Sequence, residues 1–176
     1  MTGMWMGLTY TSLTIGIAMA SSTDLLESAT QAAVRLRDEF IARGWPTSAD
    51  VGRANGVSPN DNPAKWANDR REAGELMGAW SPKERTYRHP DFQFDRHGHL
   101  KPGIKELLAA LAEHADFAAN VDKSGWRRVF WMYGATYELA APDGTPRSAA
   151  ELFATHPDDV IAYARKSAVP DIGDAW

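Results

Sequence analysis

The stretch Thr86–Leu100, TYRHPDFQFDRHGHL, decides how the chain divides. It places three aromatic residues and three histidines in one short segment. Asp95 suits the first position of a turn and Gly98 the position after a type I corner, so FQF and HL flank a tight turn. Just upstream, LMGAW and RTYRH surround SPKE, short β-prone runs about a proline-containing turn, which is a hairpin pattern. Just downstream, Lys101-Pro102-Gly103 opens a helix whose apolar face is Ile104, Leu107, Leu108, Leu111, Ala115 and Ala118. Tyr87, Pro90, Phe92 and Phe94 are expected to brace the hairpin against that helix. His89, His97 and His99 are expected to form a solvated polar rim.

Upstream of the hairpin the signals are helical. Leu25, Ala29, Ala33, Leu36 and Phe40 recur at three- and four-residue steps, predicting a helix from Ser22 to Arg43 that Gly44 ends. Thr47 with Asp50 forms a capping-box pattern before a short helix carrying Val51 and Ala54, which Asn55-Gly56 stops. Asn62 is an N-cap with Pro63 at the first helical position of a second helix, running to about Ala73. Two short helices and a glycine-containing connection predict a helix-turn-helix-like unit, with the hairpin as a small wing.

Beyond the long helix, Trp126, Val129, Phe130 and Tyr133 make a helical stripe, with Arg127 and Arg128 on the opposite side. APDGTP is a turn, Ser148 with Glu151 caps a short helix through Phe153, and His156-Pro157 starts one carrying Val160, Ile161 and Ala164. The fold class read here is mainly α. A helix-turn-helix-like N-terminal unit with a small antiparallel β-hairpin (residues 21–100) precedes a C-terminal helical unit with a tail (residues 101–176). Residues 1–20 read as a leader. Ala18-Met19-Ala20 resembles a signal-peptidase site, but no Lys or Arg precedes it, which favours a start-site artefact with Met19 as the natural first residue. The same segment is threaded with Thr, Ser and Gly, too weak for a membrane span.

Composition narrows the chemistry. The 176 residues include no cysteine, which excludes disulfides, thiolate nucleophiles and cysteine-based zinc sites. A reducing, cytoplasmic setting is compatible with that. The net charge of −4 argues against a protein built mainly for nucleic acid. The middle of the chain is nonetheless faintly basic, with eight Arg and Lys against six acids between Arg43 and His89. In the second short helix Lys65, Asn68, Arg70 and Arg71 are the side-chain types that read phosphate, adenine and guanine. Arg85 and Arg88 of the hairpin could reach backbone phosphate. Asp69, Glu72 and Glu75 are interleaved, so a solvated amphipathic helix is the competing reading, and a dimer would double the contacts. A three-histidine metal site at His89, His97 and His99 is the only metal arrangement on offer, and their place in a turn argues against it. No serine-elbow, zinc-hydrolase or phosphate-loop motif is present. Asp158-Asp159 are explained by a helix N-terminus. No catalytic residues, metal or cofactor are expected.

For a protein partner the signals are Trp126, Trp131, Arg127 and Arg128, the residue types of interface hot spots, and the acidic ending VPDIGDAW. The blocks ANDRREAGELMGAW and YRHPDFQFDRHGHLKPGIKELLAAL, with the tryptophan-bearing helix (Trp126, Trp131) and TPRSAAELFATHPDDVIAYAR after it, resemble the Xre/MbcA/ParS antitoxin superfamily over about Trp45 to Ala168. The matching residues are Arg71, Gly74, Leu76, Gly78, Tyr87, Pro90, Phe92, Gln93, Phe94, Asp95 and Gly98, with Pro146, Glu151, Leu152, Thr155, Val160 and Ala164 in a looser second half. The resemblance implies an antitoxin that blocks a RES-domain, NAD-consuming toxin and represses its own operon as a homodimer. It implies toxin contacts at Arg127, Arg128 and Trp131, and a C-terminal plug of Asp171, Ile172, Asp174 and Trp176. Two other readings stand beside it: a DNA-binding regulator or an immunity protein on the same fold, and a metal enzyme built on the histidines.

Overall fold

The computed structural model describes residues 22–168, so the expected leader and the tail residues Asp171, Ile172, Asp174 and Trp176 lie outside the described residues. The chain forms two units, Met1–Leu36 and Arg37–Trp176. Of the first, the described part is helix, the beginning of α1 (Ser22–Ala42). The end of α1 belongs to the second unit, where Phe40 enters the core.

The second unit is mainly α with small antiparallel β elements, as the periodicities predict. α2 (Ser48–Ala54) begins at the expected capping box: the Thr47 hydroxyl accepts from Asp50 N, and the Asp50 carboxylate accepts from Thr47 N at 2.9 Å. A 3₁₀ turn (Pro59–Asp61) leads to α3 (Pro63–Glu72), capped by Asn62 with its backbone in the left-handed region. The eight-residue connection, 55–62, is longer than the usual three or four of a helix-turn-helix, yet the two helices press together. A Cβ on Gly52 would lie 2.2 Å from the Pro63 carbonyl oxygen, so only glycine permits this approach. β1 (Ala79–Ser81) and β2 (Thr86–Arg88) form the hairpin, with Trp80 opposite Tyr87.

α4 (Ile104–Ala112) buries Ile104, Leu107, Leu108 and Leu111 as expected, but stops before Ala115 and Ala118. Extended backbone at His114 turns the chain into a 3₁₀ turn (Ala115–Phe117), which sets Phe117 against the ring of Trp131. α5 (Trp126–Tyr133), α6 (Ala149–Phe153) and α7 (Pro157–Ala168) follow close to the predicted positions, α6 with its Ser148–Glu151 capping box. The APDGTP turn joins two strands the sequence did not announce, β3 (Ala135–Thr136) and β4 (Arg147–Ser148). They are two residues long, and no alternation can be read over two residues.

One large core draws on both sides of Leu100: Trp45, Met77 and Phe92 pack with residues of α4, α5, α6 and α7. A smaller cluster of Val51, Ala67 and Leu76 fills the space between α2 and α3, with Phe94 and Leu100 against it. The four bracing residues therefore split. Phe92 enters the large core, Phe94 the small one, Pro90 is buried, and Tyr87 goes elsewhere. No helix among the described residues is long and apolar enough to cross a membrane.

Candidate functional site

The residues with the most chemistry meet where α2, α3 and the hairpin face one another. They line a cleft of about 450 Å³ whose walls include Asn68, Arg71, Trp80, Arg85 and Tyr87. α3 contributes Ala64, Asn68, Arg71 and Glu72, positions four, seven and eight residues apart along one helical face. β1 and β2 bring Trp80 and Tyr87 together because cross-strand partners lie on the same face of a hairpin, and their rings meet edge to face at 5.1 Å. The Arg71 guanidinium stacks over Tyr87 at 3.9 Å.

Glycine makes this stacking possible. A Cβ on Gly78 would stand 2.9 Å from Arg71 Cδ and 3.3 Å from His89 Cε1 and Tyr87 Cδ1. The other face of Gly78 takes the loop before α5: a Cβ on Gly125 would fall 1.9 Å from the Gly78 carbonyl oxygen. The hairpin is fastened to that loop by Trp80 N donating to Ser124 O at 2.8 Å and by Trp126 Nε1 donating to Trp80 O at 2.9 Å.

Beneath the cleft lies a polar layer that corrects the expected histidine rim. His97 and His99 are exposed, but His89 has 0% of its surface accessible. Its Nδ1 donates to Met77 O at 2.9 Å, which leaves Nε2 to accept from the Ser48 hydroxyl at 3.0 Å. Burial pushes the imidazole down to about 4, with the Arg71 charge adding to it and the Met77 carbonyl opposing. Gln93, also fully buried, closes the layer: Met77 N donates to its Oε1 at 2.6 Å, and its Nε2 donates to Met77 O and Pro90 O at 3.0 and 3.1 Å.

Ser48 and His89 have the atoms of a nucleophile and its base, yet the arrangement is a strut. A base held near 4 is unprotonated at neutral pH but far too weak to take a serine proton. Ser48 is only 4% exposed, and the group orienting the imidazole is a carbonyl, which does not stabilise an imidazolium as a carboxylate does. Among the described residues no group of three or more His, Asp or Glu side chains is placed to hold a metal ion.

The six residues singled out for DNA fall into two sets. Asn68, Arg71 and Arg85 come together in the cleft. Lys65, Arg70 and Arg88 are held by carboxylates instead: Lys65 by Asp69, Arg70 by Glu75 and Arg88 by Glu84, each at 2.6 Å. Arg88 also donates to Trp45 O at 2.8 Å, so it ties β2 to the end of the α1–α2 connection.

The residues singled out for a protein partner lie elsewhere, on α5. Arg127, Arg128 and Trp131 share one helical face, while Trp126 turns into the core. Trp131 is half-buried and stacks on Tyr163 of α7 at 5.2 Å. Arg128 pairs at 3.0 Å with Asp122, a buried carboxylate that also accepts from the backbone of Arg127 and Arg128. Asp122 thus caps α5 from the preceding loop. Sequence reading passed over it, although an acid just before a helix is a recognised start signal. Ser48 and His89 gave no such signal, since their partners lie 41 and 12 residues away. No protein-family model, curated protein or solved structure matches the chain.

Proposed function

We propose that the chain is an antitoxin of the Xre/MbcA/ParS kind, which holds a RES-domain toxin inactive and represses its own operon. The observation that carries this reading is the interlock of Arg71, Gly78 and Tyr87. They are three of the residues that carry the resemblance, they come from α3 and the hairpin region, and here they pack against one another. Glycine at 78 makes room for the arginine side chain, which covers the tyrosine ring. Three of the matching residues thus belong to one packing unit, which supports the reading.

The face of α5 bearing Arg127, Arg128 and Trp131 supplies the residue types of a protein interface: a half-buried aromatic anchor flanked by two guanidinium groups. Operator binding is the subordinate part of the reading. The Lys65 and Arg70 ion pairs are exposed, and exposed pairs are held by so little that phosphate could replace the carboxylates.

The test is co-expression with a RES-domain toxin encoded beside this chain. Growth and a stable complex are expected, and Arg127→Glu with Trp131→Ala should abolish both while the variant stays folded. A chain that neither protects cells nor forms the complex would overturn the reading.

A further inference from the structure

The cleft between α2, α3 and the hairpin is built of more than stability requires. Two of its guanidinium groups are incompletely paired among the described residues. Arg71 Nε is buried without a hydrogen bond, although the side chain as a whole is 22% exposed and another of its nitrogens reaches Glu72 at 3.1 Å. A buried unpaired N–H is destabilising unless something supplies an acceptor. Arg85, at the rim, makes no ion pair among the described residues. Its backbone sits at φ +54, in the left-handed region. Among the described residues the only other non-glycine one there is Asn62, whose side chain caps α3. Arg85 takes it as the last residue of the hairpin loop 82–85, where the turn itself favours that conformation and glycine or asparagine would adopt it more easily.

The remaining walls are aromatic and amide. Trp80 and Tyr87 provide aromatic surface, and Asn68 has one amide atom near Ser48 Oγ, at 3.2 Å, with no hydrogen bond to the other among the described residues. Guanidinium donors favour an anion with oxygen acceptors. Indole and phenol favour a flat, polarisable ring beside it. An amide can pair with a heterocycle edge. The volume, about 450 Å³, lies within the range of small-ligand clefts and leaves most of the space unfilled by a bare anion.

We propose that this cleft binds a nucleoside monophosphate unit, its phosphate on Arg71 and Arg85 and its base against Trp80 and Tyr87. The site stands on the cleft alone and does not depend on the antitoxin reading. The same unit could arrive as a free mononucleotide or within a single strand, and the two sources can be separated.

The experiment is calorimetric titration of the full chain with adenosine and cytidine monophosphates, with the parent nucleosides, with inorganic phosphate, and with a single-stranded trinucleotide. Saturable one-to-one binding of at least one monophosphate or of the trinucleotide is expected, about tenfold or more tighter than nucleoside or inorganic phosphate. A trinucleotide that binds more tightly than the mononucleotide assigns the unit to a strand; the reverse assigns it to a free nucleotide.

Arg85→Ala and Arg71→Lys should each weaken binding about tenfold or more. Arg85→Gly is the decisive variant: it should lose affinity with an unchanged or higher Tm, because the left-handed position is then relaxed, whereas a purely structural Arg85 would lose stability instead. No saturable binding below about 1 mM, equal binding of inorganic phosphate, or full affinity in the Arg85 variants would overturn the proposal.

Discussion

The two cores of this protein hold themselves together by different means. The large one packs Leu107, Leu111, Val129, Met132 and Val160, all fully buried, with few polar atoms among them. The small one between α2 and α3 has just Val51, Ala67 and Leu76 fully buried. Three apolar side chains cannot fix two short helices and a hairpin, and a polar layer does the rest. Ser48, His89 and Gln93, with the Met77 main chain, give direction where the small core gives only adhesion. Hydrogen bonds specify geometry, and apolar burial supplies free energy without specifying it. The candidate cleft sits over the polar layer, where the structure is held by few, directional contacts.

The comparison can be broken most sharply at Gln93. Gln93→Ala removes three buried hydrogen bonds and strands Met77 N, so a loss of about 4 kcal/mol is expected in urea unfolding. That is somewhat more than truncating Leu107 in the main core, for which about 3 kcal/mol is expected. If Gln93→Ala loses less than about 1 kcal/mol, the polar layer is not what holds the region.

A second test uses pH. The folded imidazole of His89 is lowered to about 4 from 6.5, so the unfolded chain binds its proton first as pH falls. The stabilisation is complete above about pH 6.5, is lost progressively down to about pH 4, and amounts to a few kcal/mol, on the order of 3. His89→Gln, which cannot take a proton, should show a flatter pH dependence over that window. An unchanged slope would place the acid sensitivity elsewhere.

The smallest effects should separate the two regions at their caps. Thr47→Ala and Ser148→Ala each remove a capping-box hydroxyl, and each should lose about 1 kcal/mol. Amide exchange should then quicken in α2 for the first variant, where one small core residue, Val51, and the Ser48–His89 bond hold the helix. In the second, α6 should stay protected by Leu152 and Phe153 in the large core. Equal quickening in both would erase the distinction.

Much of this was legible in the residues. The capping boxes at Thr47 and Ser148, Asn62-Pro63 at the start of α3, the turn at Asp95–Gly98 and the faces of α4 and α7 are local signals, and each lies where the sequence predicts. The cleft was half legible. Asn68, Arg71 and Arg85 were singled out for their side-chain chemistry, but they were grouped with Lys65, Arg70 and Arg88, which carboxylates hold elsewhere. Ion pairing depends on which acid stands within a few ångströms, and spacing alone does not report that. The end of α4 at Ala112 was misread for a similar reason: the periodicity runs on through Ala115 and Ala118, but Phe117 has to turn back onto Trp131.

By itself, then, the sequence determined the helical class, the positions of most elements and the exclusion of thiol chemistry, because caps, turns and periodic faces act over a few residues. Tertiary structure alone decided that His89 is a buried strut and that Arg71, Gly78 and Tyr87 interlock over it. Those assignments depend on partners from other elements and on whether water reaches the group, and both are settled only when the elements pack.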